Sequence, residues 1–317
     1  MIPRALIVAG PTASGKSALA IALAERLNGT IINADAMQVY RELRILTARP
    51  TPDDEARVPH RLYGVRPAIE ASSVAWWHDA ALVEMAAAHD AGRLPILTGG
   101  SGLYFASLTD GLASIPDPGP AARQEARALL KRIGPAALHA RLAEADPATA
   151  ARLRPTDSQR IARAWEVWRG TGIGLAAWQS RSVQPAPWRF AAILLDPPRQ
   201  ELRASIAVRL DAMLRGGALE EVRALLALNL DPALPAMRAH GVPELSAHLR
   251  GDITLDEARH RIELVTGQYT KRQATWFRHH PLAAPANTHT IHARFTDLEQ
   301  FSERNYPQFW AFIETLG

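Results

Sequence analysis

The 317-residue chain contains no cysteine, which excludes disulfides and any cysteine-ligated zinc site. Lysine is almost absent: Lys16, Lys131 and Lys271 are the only three among 36 basic residues. That arginine bias is of the kind a GC-rich genome produces, and no function follows from it. No uninterrupted apolar run approaches the roughly 20 residues of a membrane-spanning helix, so no membrane insertion is expected. The first apolar run opens at Ala5, leaving no room for a signal peptide; a cytoplasmic protein is expected. The net charge of +4 allows a polyanionic partner without demanding one. The length suits one large α/β domain with a smaller one attached.

What is present begins with Gly10-Pro11-Thr12-Ala13-Ser14-Gly15-Lys16-Ser17, which fits the phosphate-loop pattern G-x-x-x-x-G-K-[ST] at every fixed position. An apolar run before it, Ala5–Ala9, reads as a buried parallel strand, and Ser17–Ala24 reads as the helix that follows. The glycines let successive backbone N–H groups converge on one anion at the positive end of that helix. Lys16 adds a full charge, and the Ser17 hydroxyl is placed to ligate a magnesium ion. A di- or triphosphate is expected there, ATP included, but the loop does not choose the reaction.

The rest of the first third alternates strand and helix. Strands are expected over 30–35 and 95–100, with a helix from Ser73 to Ala91 between them. This rhythm predicts a P-loop NTPase-like α/β core: a parallel sheet with ligands at the carboxyl ends of its strands. A linker with three prolines, Ile115–Pro120, opens an all-helical stretch with helices expected over 121–132, 135–145, 147–153 and 158–169. A second proline-rich linker, 184–187, leads back to a strand over 190–195. Residues 114–188 therefore read as a helical insertion into a core made of 1–113 and 189–317. The remainder is expected to be mostly helical, with a long helix from about Leu255 to His279 and a last one near 298–316.

Taken singly, the remaining signals leave alternatives open. Asp35, ending the second strand, reads as a magnesium ligand, a general base or a residue capping a turn. The turn Gly99-Gly100-Ser101-Gly102-Leu103-Tyr104 is either a close approach to a ligand or an ordinary corner with Ser101 as helix cap. On a helix, Lys271, Thr275 and Arg278 share one face and Arg272 and Trp276 the next. A basic strip with an aromatic suits a phosphate backbone and a stacked base; it is equally a solvated face with a buried tryptophan.

Taken together, these segments resemble the bacterial tRNA dimethylallyltransferase (tRNA isopentenyltransferase) family. The residues that carry the resemblance are the loop 10–17, Asn33–Arg41, Thr47-Ala48-Arg49-Pro50, Pro59-His60-Arg61-Leu62, Gly99–Tyr104, Asp157–Ala164 and Lys271–Arg278, in the family's order. The resemblance implies a P-loop-type core with a helical insertion domain, magnesium dependence and a monomer. It also implies transfer of a dimethylallyl group from dimethylallyl diphosphate to N6 of the adenosine at position 37 of tRNA, 3′ of the anticodon, in tRNAs reading codons that begin with U.

Residue by residue, the resemblance implies a diphosphate cradle at Gly10–Ser17 and a catalytic aspartate at Asp35. Ser101 stands where the family usually has threonine and keeps the hydroxyl, and Arg209 matches an arginine aimed at the diphosphate. Implied contacts with the anticodon stem-loop are Asp35, Ala36, Met37, Gln38, Ser101, Arg123, Gln159, Arg160, Ile161, Ala162, Arg163, Arg238, His240, Gly241, Lys271, Arg272, Gln273, Trp276 and Arg278. Two departures stand out. A further family arginine has no match at Ser205, with Arg203 two residues earlier, and the family's Gly-Tyr-Arg run is Gly241-Val242-Pro243 here. Rival readings of the loop are a prenyltransferase of free adenine nucleotides, a small-molecule kinase and a nucleotide-sensing RNA-binding protein. The first would not need the RNA-facing segments, the second would not explain the basic C-terminal helix, and the third would not need Lys16, Ser17 and Asp35 together.

Overall fold

The computed structural model describes residues 2–181, 183–297 and 307–314. Six strands form one sheet in the order β3-β2-β4-β1-β5-β6, parallel at every pairing. They are β1 (Arg4–Ala9), β2 (Gly29–Asn33), β3 (His60–Arg61), β4 (Leu94–Gly99), β5 (Arg189–Leu195) and β6 (Thr288–Ile291). Side chains alternate across the sheet. Leu6 and Val8 face a layer containing Leu19, Ala20 and Leu23 of α1 (Lys16–Arg26). Ala5, Ile7 and Ala9 face the opposite, larger cluster, which takes in Trp77, Ala81 and Met85 of α3 (Val74–Asp90); the short α2 (Pro52–Arg57) precedes β3, and α4 (Gly102–Thr109) follows β4. Both faces are covered, so β1 over residues 5–9 and β5 over residues 190–195 are apolar throughout, as buried parallel strands are.

Most expected elements are present with shifted ends. The second strand stops at Asn33, so Asp35 lies in the loop beyond it. The expected stretch 298–316 is described only as a helix over Pro307–Glu314; the rest of that stretch lies outside the described residues. Two strands were not anticipated. β3 has two residues, and β6 reads Thr-His-Thr-Ile with one buried position, so neither carries an apolar run.

By compactness, Asp110–Gln184 forms one unit and the remainder of the described chain the other. The smaller unit holds α5 (Gly119–Ala145), broken at Gly134-Pro135, then α6 (Pro147–Ala150), α7 (Ser158–Thr171) and α8 (Leu175–Gln179). Its core is Ala126, Leu129, Leu138, Leu142, Ile161, Ala164 and Trp165. In the larger unit, α9 (Arg199–Arg215), α10 (Ala218–Ala227), α11 (Val242–Leu249) and α12 (Leu255–His279) pack on one face of the sheet. No described helix is long and apolar enough to cross a membrane.

Candidate active site

The loop between β1 and α1 has the geometry of an anion cradle. Ala13 and Gly15 both take left-handed backbone angles, with φ of 68° and 88°. Gly15 starts α1 without a side-chain cap, and the helix's first turn holds no acid. Its leading N–H groups are therefore available to an anion. Only glycine fits at 15: a Cβ there would lie 2.1 Å from the carbonyl oxygen of Phe295. Phe295 N–H donates to Ser14 O (3.0 Å), and Arg294 Nε donates to Ala13 O (3.1 Å), so the segment after β6 straps the loop from outside. Ser14 Oγ is buried with no hydrogen-bond partner, the state of a group whose partner is a ligand. The Lys16 ammonium is lowered to about 8, by burial first, with Asp35 opposing and Arg209 reinforcing.

Opposite the loop, the ends of β2 and β4 are tied together. Asn33 accepts Asp35 N–H at Oδ1 (2.8 Å) and donates from Nδ2 to Asp35 O (3.0 Å) and Leu62 O (3.1 Å). Met37 N–H donates to Asp35 Oδ1 (2.9 Å), and Ala36 N–H donates to Ser101 Oγ (3.0 Å). Ser101 thus holds the segment after Asp35.

Two residues expected to face RNA are otherwise engaged. Gln273 is 4% exposed. Its Oε1 accepts Thr12 N–H (2.9 Å) and Thr12 Oγ1–H (3.2 Å), while its Nε2 donates to Gly100 O (3.0 Å). It clamps the phosphate loop to the turn after β4 because its position continues the buried stripe Ile262, Thr266, Thr270 and Phe277 of α12. The Trp276 ring lies on Gly102, where a Cβ would come within 2.2 Å of it, and stacks on His280 at 4.3 Å. The ring is half-buried against that turn.

A cavity of about 240 Å³ joins these parts. Thr12, Asp35, Thr47, Arg209, His240 and Tyr269 bring polar groups to it, and Leu46, Ile206, Leu210, Met213 and Ile262 are apolar. The α9 residues Ile206, Arg209, Leu210 and Met213 follow i, i+3, i+4, i+7 spacing, as do Ile262, Thr266 and Tyr269 at i, i+4, i+7 on α12. Arg209 Nη2 donates to Thr47 O (3.4 Å). Burial draws the Arg209 guanidinium below its ordinary pKa, with Asp35 opposing. Burial likewise raises Tyr269, and Asp35 adds to the effect; it lowers His240, whose ring lies 4.7 Å from that of Tyr269. Tyr269 is a lining residue that the sequence reading missed, and Thr47, singled out there only as part of the resemblance, is another. The helical spacing of Tyr269 with Ile262 was the available signal.

The other expected contacts scatter. Arg238 is exposed at the cavity rim, whereas Arg203 is exposed and does not line the cavity. Gly241, at φ 97°, opens α11, followed by buried Val242. The Gln38 amide is bound to Thr47 O (2.8 Å) and Ala48 O (3.0 Å). Lys271 and Arg272 are exposed on α12, while Arg278 pairs with Asp196 at 3.1 Å. Within the smaller unit, Gln159, Arg160 and Arg163 are exposed, Ala162 is half-buried, and Arg123 pairs with Asp117. Ile161 is a correction: it is fully buried in that unit's core. It begins the apolar side of α7 that continues through Ala164 and Trp165.

No group of three or more His, Cys, Asp or Glu side chains able to hold a metal occurs among the described residues, and Ser17 presents an exposed hydroxyl in the first turn of α1. One hydroxyl completed by phosphate oxygens and water is a donor set that suits magnesium.

Comparison with known proteins agrees with this geometry. A profile described as IPP transferase matches residues 38–280. A curated relative from Granulibacter bethesdensis named tRNA dimethylallyltransferase is 64% identical, over 99% of this chain and 98% of its own. The crystal structure of a tRNA isopentenylpyrophosphate transferase from Bacillus halodurans is 31% identical, with a TM-score of 0.68 and coverage of 99% of this chain and 97% of that one. A eukaryotic dimethylallyltransferase acting on tRNA shares the fold, with a TM-score of 0.80 at 24% identity, covering 97% of this chain and 77% of its own.

Proposed function

The chain belongs to the IPP transferase family, and from that premise we propose that it transfers a dimethylallyl group from its diphosphate to N6 of an adenosine in tRNA. The adenosine is position 37, 3′ of the anticodon, in tRNAs reading codons that begin with U, and the protein acts as a cytoplasmic monomer. The observation that carries the proposal is the cavity itself. One wall presents Asp35, and Arg209 and Thr12 of the phosphate loop line the same space, beside apolar side chains that suit a five-carbon chain.

In this reading the N6 lone pair forms a bond to the allylic carbon as the carbon–oxygen bond to diphosphate breaks. The N6 proton passes to Asp35. Met37 N–H holds Oδ1 and leaves Oδ2 for that proton. Diphosphate leaves with the bonding pair, and its charge is met by the loop amides of Ala13, Gly15, Lys16 and Ser17, together with the Lys16 side chain, Ser14 Oγ and Arg209. The Ser17 hydroxyl would hold a magnesium ion, which would supply further charge neutralisation. Ser101 positions the Asp35 segment through Ala36 N–H. The target adenine leaves the anticodon-loop stack to enter the cavity, and Arg238, Lys271, Arg272, Gln159, Arg160 and Arg163 meet the backbone of the stem-loop.

The test offers radiolabelled dimethylallyl diphosphate and magnesium to the purified protein, with unmodified tRNA and adenosine monophosphate in separate reactions. Label in tRNA alone is expected. Label in the mononucleotide would move the chain to the free-nucleotide enzymes, and ATP hydrolysis with small metabolites in place of any transfer would return it to the kinases.

A further inference from the structure

We propose that Glu221, on α10 and outside the cavity, is the positioning residue that sets Arg209 against the diphosphate; this rests on the function proposed above. The loop 41–50 follows the Asp35 segment without regular secondary structure and contributes Leu46 and Thr47 to the cavity. Three successive N–H groups of that loop, those of Arg44, Ile45 and Leu46, need acceptors. Glu221 accepts all three. Oε2 takes Arg44 N–H and Ile45 N–H, each at 2.7 Å, and Oε1 takes Leu46 N–H at 2.9 Å. A carboxylate in a concavity of successive amides is a strong, directional anchor.

The next residue carries the consequence. Thr47 O accepts both Arg209 Nη2 (3.4 Å) and Gln38 Nε2 (2.8 Å). One carbonyl therefore holds the arginine on the diphosphate side and the amide three residues beyond Asp35. Its position is set by the three bonds just before it. Leu46 is wedged against Gly241, where a Cβ would stand 2.9 Å from Leu46 Cδ2, so the loop has one seating when its amides are anchored. Because both carboxylate oxygens accept N–H groups, Glu221→Gln is disruptive despite its shape: its NH2 must face a backbone donor.

The experiment measures inorganic diphosphate binding to the full chain by calorimetry, for wild type, Glu221→Gln, Arg209→Ala and the double variant. Glu221→Gln is expected to weaken binding about tenfold, near 1.4 kcal/mol. Arg209→Ala is expected to weaken it at least as much, with the double variant no weaker than Arg209→Ala within about twofold, since the two act as one unit. Glu221→Asp, which keeps the charge but withdraws the oxygens, is expected to shift binding in the same direction and serves if the glutamine variant does not fold. Wild-type affinity in the folded Glu221 variants, or a loss that adds in full to that of Arg209→Ala, would overturn the role. Wild type binding no diphosphate would overturn the proposed function and this inference together.

Discussion

The depressed ammonium of Lys16 makes a pH prediction that follows from its surroundings. Burial lowers it from an ordinary 10.5 to about 8, Arg209 pushes the same way, and Asp35 compensates in part. At 1.36 kcal/mol per pH unit, the fall corresponds to about 3 kcal/mol of penalty on holding the charged form in the free protein. A bound diphosphate offsets that penalty, because it replaces lost hydration with a full counter-charge. Binding therefore requires the protonated lysine, and kcat/KM for dimethylallyl diphosphate reports the free enzyme's protonation. The ammonium is about nine-tenths populated at pH 7 and about one-tenth at pH 9, so kcat/KM should fall about tenfold between them. The assay is initial rates at saturating tRNA and subsaturating donor, from pH 6.5 to 9.5. Lys16→Arg stays charged throughout and should remove the inflection, whatever its absolute rate. Stability runs the other way. The folded pKa lies below the unfolded one, so the unfolded chain binds the extra proton between about 8 and 10.5, and folding stability gains as pH rises through that window. A flat profile up to pH 9.5, or an inflection near 8 that survives in Lys16→Arg, would refute the reasoning.

Other expectations are independent of that titration. Asp35→Asn keeps the Met37 N–H bond at Oδ1 and removes the base; single-turnover transfer should fall by about 10²–10⁴, with tRNA affinity in a filter-binding assay within a few-fold of wild type. If tRNA binding collapsed while residual chemistry stayed normal, the base assignment would be wrong. Gln273→Leu strands the Thr12 N–H and Gly100 O groups and should cost about 2–4 kcal/mol in denaturant unfolding, together with diphosphate affinity. An unchanged unfolding midpoint would show the clamp to be dispensable. Ile161→Ala should destabilise the smaller unit by about 2–5 kcal/mol, whereas Arg163→Ala should leave stability unchanged and weaken tRNA binding; the reverse pattern would return residue 161 to the RNA surface.

The physical origin of each feature sets how far it could be read in the chain. The phosphate loop was legible because its function is local: eight consecutive residues, a strand before and a helix after determine where the amides point. The long helix over 255–279 was legible in the same way, from its helical pattern; in the structure Thr254 and Glu257 cap its start. The edge strands β3 and β6 were not, because two- and four-residue segments with polar side chains owe their pairing to their neighbours and not to their own preference. Helical spacing put Gln273 and Trp276 on the helix, but which side met solvent depended on where the β4 turn and phosphate loop came to rest. With that contact made, Gln273 became a buried clamp and Trp276 a wall packed on Gly102. Ile161 sat among polar residues in a stretch marked out by resemblance, yet packing within the helical unit claimed its side chain. By itself, then, the sequence determined the cradle, the parallel core and the pair Asp35 and Arg209 as candidates. Tertiary structure alone decided that they share one cavity with Tyr269, and that a distant carboxylate at 221 anchors the loop between them, because contacts between residues 35, 47, 209, 221 and 269 exist only once the sheet has brought their helices together.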